Sequence, residues 1–265
     1  MGFSRSSKIF KGVRSSTTAL GLSERQLGQI VACIDRSPTF TKRMKEFEEI
    51  GGEVRYSDSD TNYFWLPDKT VYISPANYQN SLPGSDDADV DELACVLAHE
   101  MWHFISYLKD GVNPNTCASC DEAAAAGVRD EAWAYAQEYI VQCEVNARSG
   151  PRVDWMKEGQ LEAIQPAVDA LPPGSSGDAL HLAAMKALLE WTANWTGPVE
   201  SAGGYFEFYR NEWLKLAKEP ARTIEPRSVK IAFDDKGNVL GMKYRSAGTM
   251  IATSVSRDSA TGTFA

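Results

Sequence analysis

The stretch His99-Glu100-Met101-Trp102-His103 lies inside the apolar run Asp91 to Leu108, and it constrains the fold more than any other part of the chain. Leu93, Val96, Leu97, Phe104 and Leu108 carry apolar side chains at helical spacing, while Asp89 and Asp91 suit a helix start through capping and dipole effects. The spacing predicts a helix. Residues four apart sit one above the other on one helix face, so both imidazoles can reach one tetrahedral Zn²⁺, with Glu100 beside the water that completes it. The chain has three histidines in total, and two of them occupy this motif. A core helix with incidental histidines accounts poorly for that concentration.

Two protein ligands do not hold a catalytic zinc, so a third is required, with the fourth position left for water. The HExxH resembles that of the metzincins, whose pattern would put Gly at 106 and His at 109, but the chain has Ser106 and Lys109 there. The alternative is a carboxylate from a second helix. Asp121 to Arg148 is predicted to be that helix, alanine-rich and offering Glu122, Glu131, Glu138 and Glu144. Glu131 is the favoured ligand, because the alanines at 132, 134 and 136 let two helices approach closely enough for a short carboxylate to reach a metal on the other. Glu138, Asp130, Glu122, Asp121 and His181 stand as alternatives.

With these residues the chain resembles the zincin superfamily of zinc metallopeptidases, in its glutamate-ligand branch. The HExxH, the E-x-x-A-x-A run from Glu131 to Ala136, and the stretch from Gly51 to Ser74 that leads into the motif helix carry a likeness to bacterial toxin and effector metallopeptidase domains, over about residues 24–145. The resemblance implies an α+β fold: a small mixed sheet packed on helices around an HExxH helix, followed by a mainly helical C-terminal part. It implies Zn²⁺ as cofactor and hydrolysis of a peptide bond, with His99, His103 and Glu131 on the metal and Glu100 as general base. Zn²⁺ brings its water down toward a pKa of about 7, and Glu100 takes the proton and hands it to the leaving amine. A proton donor to the intermediate is expected from a His or Tyr; Tyr205 and Tyr209, one turn apart, are the first candidates, with Tyr135, Tyr139 and His181 behind them. The strand before the motif helix, Thr70, Val71, Tyr72 and Ile73, is expected to be an edge that pairs with an extended polypeptide substrate. In one respect the chain departs from thermolysin-like members: Tyr135 stands where they carry an aspartate four residues after the third ligand, so the histidines must be oriented from elsewhere. A zincin-like binding or scaffold protein that cleaves nothing is the alternative, although it would have no need of Glu100.

Composition sets the outer bounds. With 265 residues, 43% hydrophobic and 24% charged, the chain can bury a sizeable core, and no apolar run approaches the length needed to span a membrane. A net charge of −9 argues against nucleic acid as a partner. That charge is segregated: residues 1–45 hold nine Lys or Arg against two acids. Residues 1–22, basic and rich in Ser and Thr, are expected to form a flexible leader, similar to a secretion leader, and Met1-Gly2-Phe3-Ser4-Arg5-Ser6 fits the N-myristoylation pattern. A membrane is expected as partner only through lipidation at Gly2. An effector of this kind would be cytoplasmic in its producer and secreted into a target cell, with an immunity protein or secretion chaperone as partner. The remaining boundaries are a catalytic core at 23–150, a mainly helical part at 151–245 ending in a β-hairpin, and a loose tail at 246–265. Cys117 and Cys120 form a CxxC between the metal-bearing helices; Cys33, Cys95 and Cys143 supply no second pair for a structural zinc, so free thiols are expected in a reducing cytosol, with a loop disulfide after secretion as the alternative. Core packing is expected of the aromatic run from Trp191 to Trp213.

Overall fold

The computed structural model describes residues 3, 7–13, 22–57, 62–74, 88–110, 114–197, 199 and 201–255. Among these the chain is α+β, with seven α-helices and two three-stranded sheets. Helices α1 (Glu24–Arg36) and α2 (Pro38–Glu49) come first, followed by strands β1 (Glu53–Tyr56), β2 (Tyr63–Trp65) and β3 (Thr70–Ile73). The two long helices are α3 (Ala88–Asp110) and α4 (Cys120–Asn146). Helices α5 (Gln160–Asp169), α6 (Gly177–Asn194) and α7 (Gly204–Leu216) lead to β4 (Lys230–Phe233), β5 (Val239–Ser246) and β6 (Thr249–Ser254). No helix among the described residues is long and apolar enough to cross a membrane.

Two compact units emerge, one of residues 1–105 with 137–155 and the other of 106–136 with 156–265. The division does not fall at residue 150, because α3 and α4, about 35 and 40 Å long at 1.5 Å per residue, each contribute to both. In the first unit, Ser23 opens α1 with a reciprocal capping box: its hydroxyl accepts from Gln26 N at 3.2 Å and its own N–H donates to Gln26 Oε1 at 2.9 Å. Ser37 closes α1 and caps α2, accepting from Phe40 N at 2.9 Å. The core joins α2, β2 and α3 through Phe47, Phe64 and Phe104, packed edge to face at centroid distances of 5.1 to 6.5 Å. The second unit is tied at the start of α4, where Asp121 Oδ1 accepts from Arg210 Nε at 2.9 Å and from Tyr244 Oη at 3.2 Å.

Several expectations need correction. Strand β3 is not an edge: the order is β1-β3-β2, with Thr70 to Ile73 paired parallel to β1 and antiparallel to β2, so its backbone groups are committed on both sides. The basic leader is not wholly flexible, because Ile9, Phe10 and Val13 are fully buried, Phe3 N donates to Asp35 Oδ1 at 2.6 Å, and Gly12 bridges to Arg55 on the outer side of β1. A Cβ at Gly12 would stand 2.6 Å from Val54 O, so only glycine permits that approach. The tail contains β6, joined to β5 by a two-residue turn in which Ala247 and Gly248 both have positive φ. The mainly helical part does not start at residue 151, because the backbone before α5 is held by α4 side chains: Val153 N donates to Asn146 Oδ1 and Trp155 N to Gln142 Oε1. The loop before α3, the lipidation motif at Gly2 and residues 256–265 lie outside the described residues.

Candidate metal centre

Helix α3 forms where the motif predicts it, with Leu93, Leu97, Ala98, Met101, Phe104 and Ile105 buried along its length. His99 and His103, one turn apart, are half-buried and Glu100 is buried. The imidazoles face each other with Nε2 atoms 3.0 Å apart and rings inclined at 69°. Helix α4 supplies Glu131, which is buried. One ligand atom from each of His99, His103 and Glu131 lies within 4.8 Å of the others, and the group could bind a metal ion. Glu131 is therefore the carboxylate that completes this group; Asp130, Glu122, Asp121 and Glu138 stand outside it.

The four glutamates of α4 divide the work among them. Glu138, seven residues and two turns beyond Glu131, accepts from His99 Nδ1 at 2.6 Å. With the Glu138 oxygen as acceptor, Nδ1 is the donor and the lone pair of His99 is on Nε2, the atom facing His103. Glu138 thus orients His99, and its second oxygen accepts from Cys95 Sγ at 3.3 Å. Its neighbour Gln137, fully buried, donates through Nε2 to Ala98 O, so two consecutive residues of α4 grip α3 just at the motif. Glu144 caps α2, accepting from Thr39 N at 3.0 Å and Thr39 Oγ1 at 2.8 Å. Glu122 accepts from Ala118 N at the start of α4.

Tyr209, on α7, donates to Glu131 Oε1 at 2.6 Å. Burial first, and the Glu131 carboxylate second, hold its phenol well above the usual range, so it remains a donor. Tyr205 lies near-parallel to Tyr209 with centroids 6.2 Å apart, and its hydroxyl pairs with that of Tyr135 at 3.2 Å. Gly127, one turn before Glu131, makes room: a Cβ there would lie 2.2 Å from two carbons of the Tyr209 ring. His181 is structural, with Nε2 at 3.1 Å from Trp133 O and its ring edge-on to Trp133. The expected core packing of the aromatics holds for Tyr205 and Phe206, while Trp191 and Trp195 are stacked and half-buried. The five cysteines are free, and burial pushes the Cys117 thiol up to about 11, with Glu122 adding to it. The Cys120 thiol is also raised, again by burial first. Neutral thiols are poor metal ligands and poor nucleophiles, which separates the CxxC from the metal chemistry.

The donor set fits a divalent cation of zinc type. Two imidazole nitrogens and one carboxylate oxygen are the ligands of a zinc site that keeps a fourth position open, and two nitrogens about 2.0–2.1 Å from a tetrahedral ion would stand about 3.3 Å apart, close to the separation seen. A carboxylate on the far ring nitrogen of His99 is the usual outer support of such a ligand. No family model, curated protein or solved structure matches the chain. The functional reading accordingly rests on the site itself.

Proposed function

We propose that the protein is a zinc-dependent endopeptidase of zincin type, with His99, His103 and Glu131 as metal ligands and Glu100 as general base. The observation that carries this reading is the meeting of the HExxH histidines with a glutamate of a second helix, within 4.8 Å. When bound, Zn²⁺ supplies Lewis-acid polarisation of a carbonyl and a lowered pKa for water. His99 is held in one tautomer by Glu138, which directs its Nε2 lone pair toward His103 Nε2. Glu100, buried on the helix that carries both imidazoles, accepts a proton from the attacking water and returns it to the leaving amine. A protein that kept the metal but cleaved nothing would have no use for this carboxylate.

An extended polypeptide is the proposed substrate, and the strand suited to receive it is β2 rather than β3. Among the described strands of that sheet, β2 and β1 are the edges, and the outer side of β1 carries the Gly12 bridge. Tyr63 and Trp65 on β2 are exposed, at 37% and 53%, and flank the backbone groups to which an incoming strand would pair. The proposal is confined to this chemistry. The secreted-effector part of the reading rests on the resemblance to toxin and effector domains and on the basic, Ser- and Thr-rich composition of residues 1–22.

The test is cleavage of a proteome-derived peptide library by the zinc-loaded wild type beside Glu100→Ala. Wild type cleaves, and Glu100→Ala binds one equivalent of metal but loses cleavage by at least about 100-fold, within the range for a general base. Equal cleavage by both would remove the assignment of Glu100, and no cleavage by a metal-loaded wild type would leave the binding or scaffold reading in its place.

A further inference from the structure

Glu131 is the one proposed ligand that comes from a different helix, so its carboxylate needs its own means of orientation. Tyr209 Oη donates to Glu131 Oε1 at 2.6 Å, a short charge-assisted bond that fixes the rotation of the carboxylate about its last single bond. The ring that delivers this hydroxyl lies against the backbone of α4 at Gly127, where any side chain would stand 2.2 Å from ring carbons. Its other neighbours are Tyr205, near-parallel at 6.2 Å, and Phe208, edge-on at 5.2 Å. Glycine inside a 27-residue helix is a costly choice, since alanine is the better helix former at an ordinary interior position. The vacancy left by its missing side chain is filled by the tyrosine ring, which gives that choice a reason.

Resting on the metal-centre reading above, we propose that Tyr209 is a positioning residue for the ligand Glu131, seated on α4 through Gly127, and not the proton donor to the reaction intermediate. Its phenolic hydrogen is already given to Glu131, so transferring it to substrate would break the bond that orients the ligand. The hydroxyl of Tyr205 pairs with that of Tyr135 at 3.2 Å. Gly127 belongs to the same device although it bears no functional group.

The two roles separate by measurement. Zn²⁺ affinity is read by chelator competition, and the d–d absorption of the Co²⁺-loaded protein reports ligand geometry without any reference to turnover. Tyr209→Phe removes only the hydroxyl; it is expected to weaken Zn²⁺ binding by about 10–100-fold, the usual effect of losing an outer-sphere partner, and to shift the Co²⁺ spectrum. Gly127→Ala, which should raise the melting temperature if helix propensity alone counted, is expected instead to lower metal affinity to the same degree. The double variant should lose no more than either single one. The proposal is overturned if Tyr209→Phe binds Zn²⁺ as the wild type does with an unchanged Co²⁺ spectrum, or if folded Gly127→Ala is more stable and binds metal normally. A wild type that binds no metal is a distinct result, which removes the metal-centre reading and this inference with it.

Discussion

Glu138 is the residue whose role was hardest to assign from the sequence. It stood there as an alternative third ligand on the chemistry of its carboxylate; in the structure it holds His99 Nδ1 at 2.6 Å and accepts from Cys95. Glu138→Gln keeps the shape and removes the charge, and it is expected to weaken metal binding about 10-fold or more without abolishing it, whereas His103→Ala abolishes it. Isothermal titration with Zn²⁺ under a competing chelator separates the two outcomes. The CxxC thiols provide a second check at this scale. A cysteine with its pKa at about 11 holds its proton through the neutral range and forms thiolate only as pH approaches 11, so Cys117 should react with iodoacetamide at pH 8 about two orders of magnitude more slowly than a free thiol of pKa about 8.5. Site-resolved mass spectrometry measures that rate. Reaction at the free-thiol rate would contradict the burial of Cys117.

Elements were legible where a periodic pattern coincided with a turn signal, as in the β-hairpin of β4 and β5 around Asp234 to Asn238. They were not legible where tertiary contacts decided the outcome. The edge or central place of β3 depends on whether β2 pairs beside it, a choice of strand order that a four-residue pattern does not encode. Strand β6 was hidden because its turn uses Ala247 at positive φ, where Asn or Asp would have given the hairpin signal. Likewise, the capping of α2 by Glu144 brings together residues 105 apart in sequence. Glu144→Ala removes a charged acceptor from Thr39 and Ser37 and should cost about 2 kcal/mol, read from the midpoint of urea unfolding. A change below about 0.5 kcal/mol would show that solvent replaces it.

Over the molecule as a whole, the described residues Ile9, Phe10 and Val13 of the N-terminal segment count as part of a core. Phe10 is fully buried and meets Phe3 edge-on at 6.2 Å, so Phe10→Ala should destabilise the protein by about 3–5 kcal/mol, while an unfolding midpoint like that of the wild type would restore the flexible-leader expectation. The basic composition concealed this, because Ile9, Phe10 and Val13 are too few to form a periodic pattern by themselves. The candidate metal site was more open to reading: HExxH pointed to His99 and His103, and the alanines beside Glu131 singled out that carboxylate for the same group. Gly127 and Tyr209, whose connection runs through space, gave no signal. The most direct test of the site is the metal content of purified protein after equilibrium dialysis against Zn²⁺, in wild type and in Glu131→Ala. One tightly bound Zn²⁺ per chain in the wild type, weakened at least 100-fold in Glu131→Ala, is the expected result; a wild type without stoichiometric zinc, or a Glu131→Ala protein that holds it equally well, would contradict the assignment of His99, His103 and Glu131 as a metal centre.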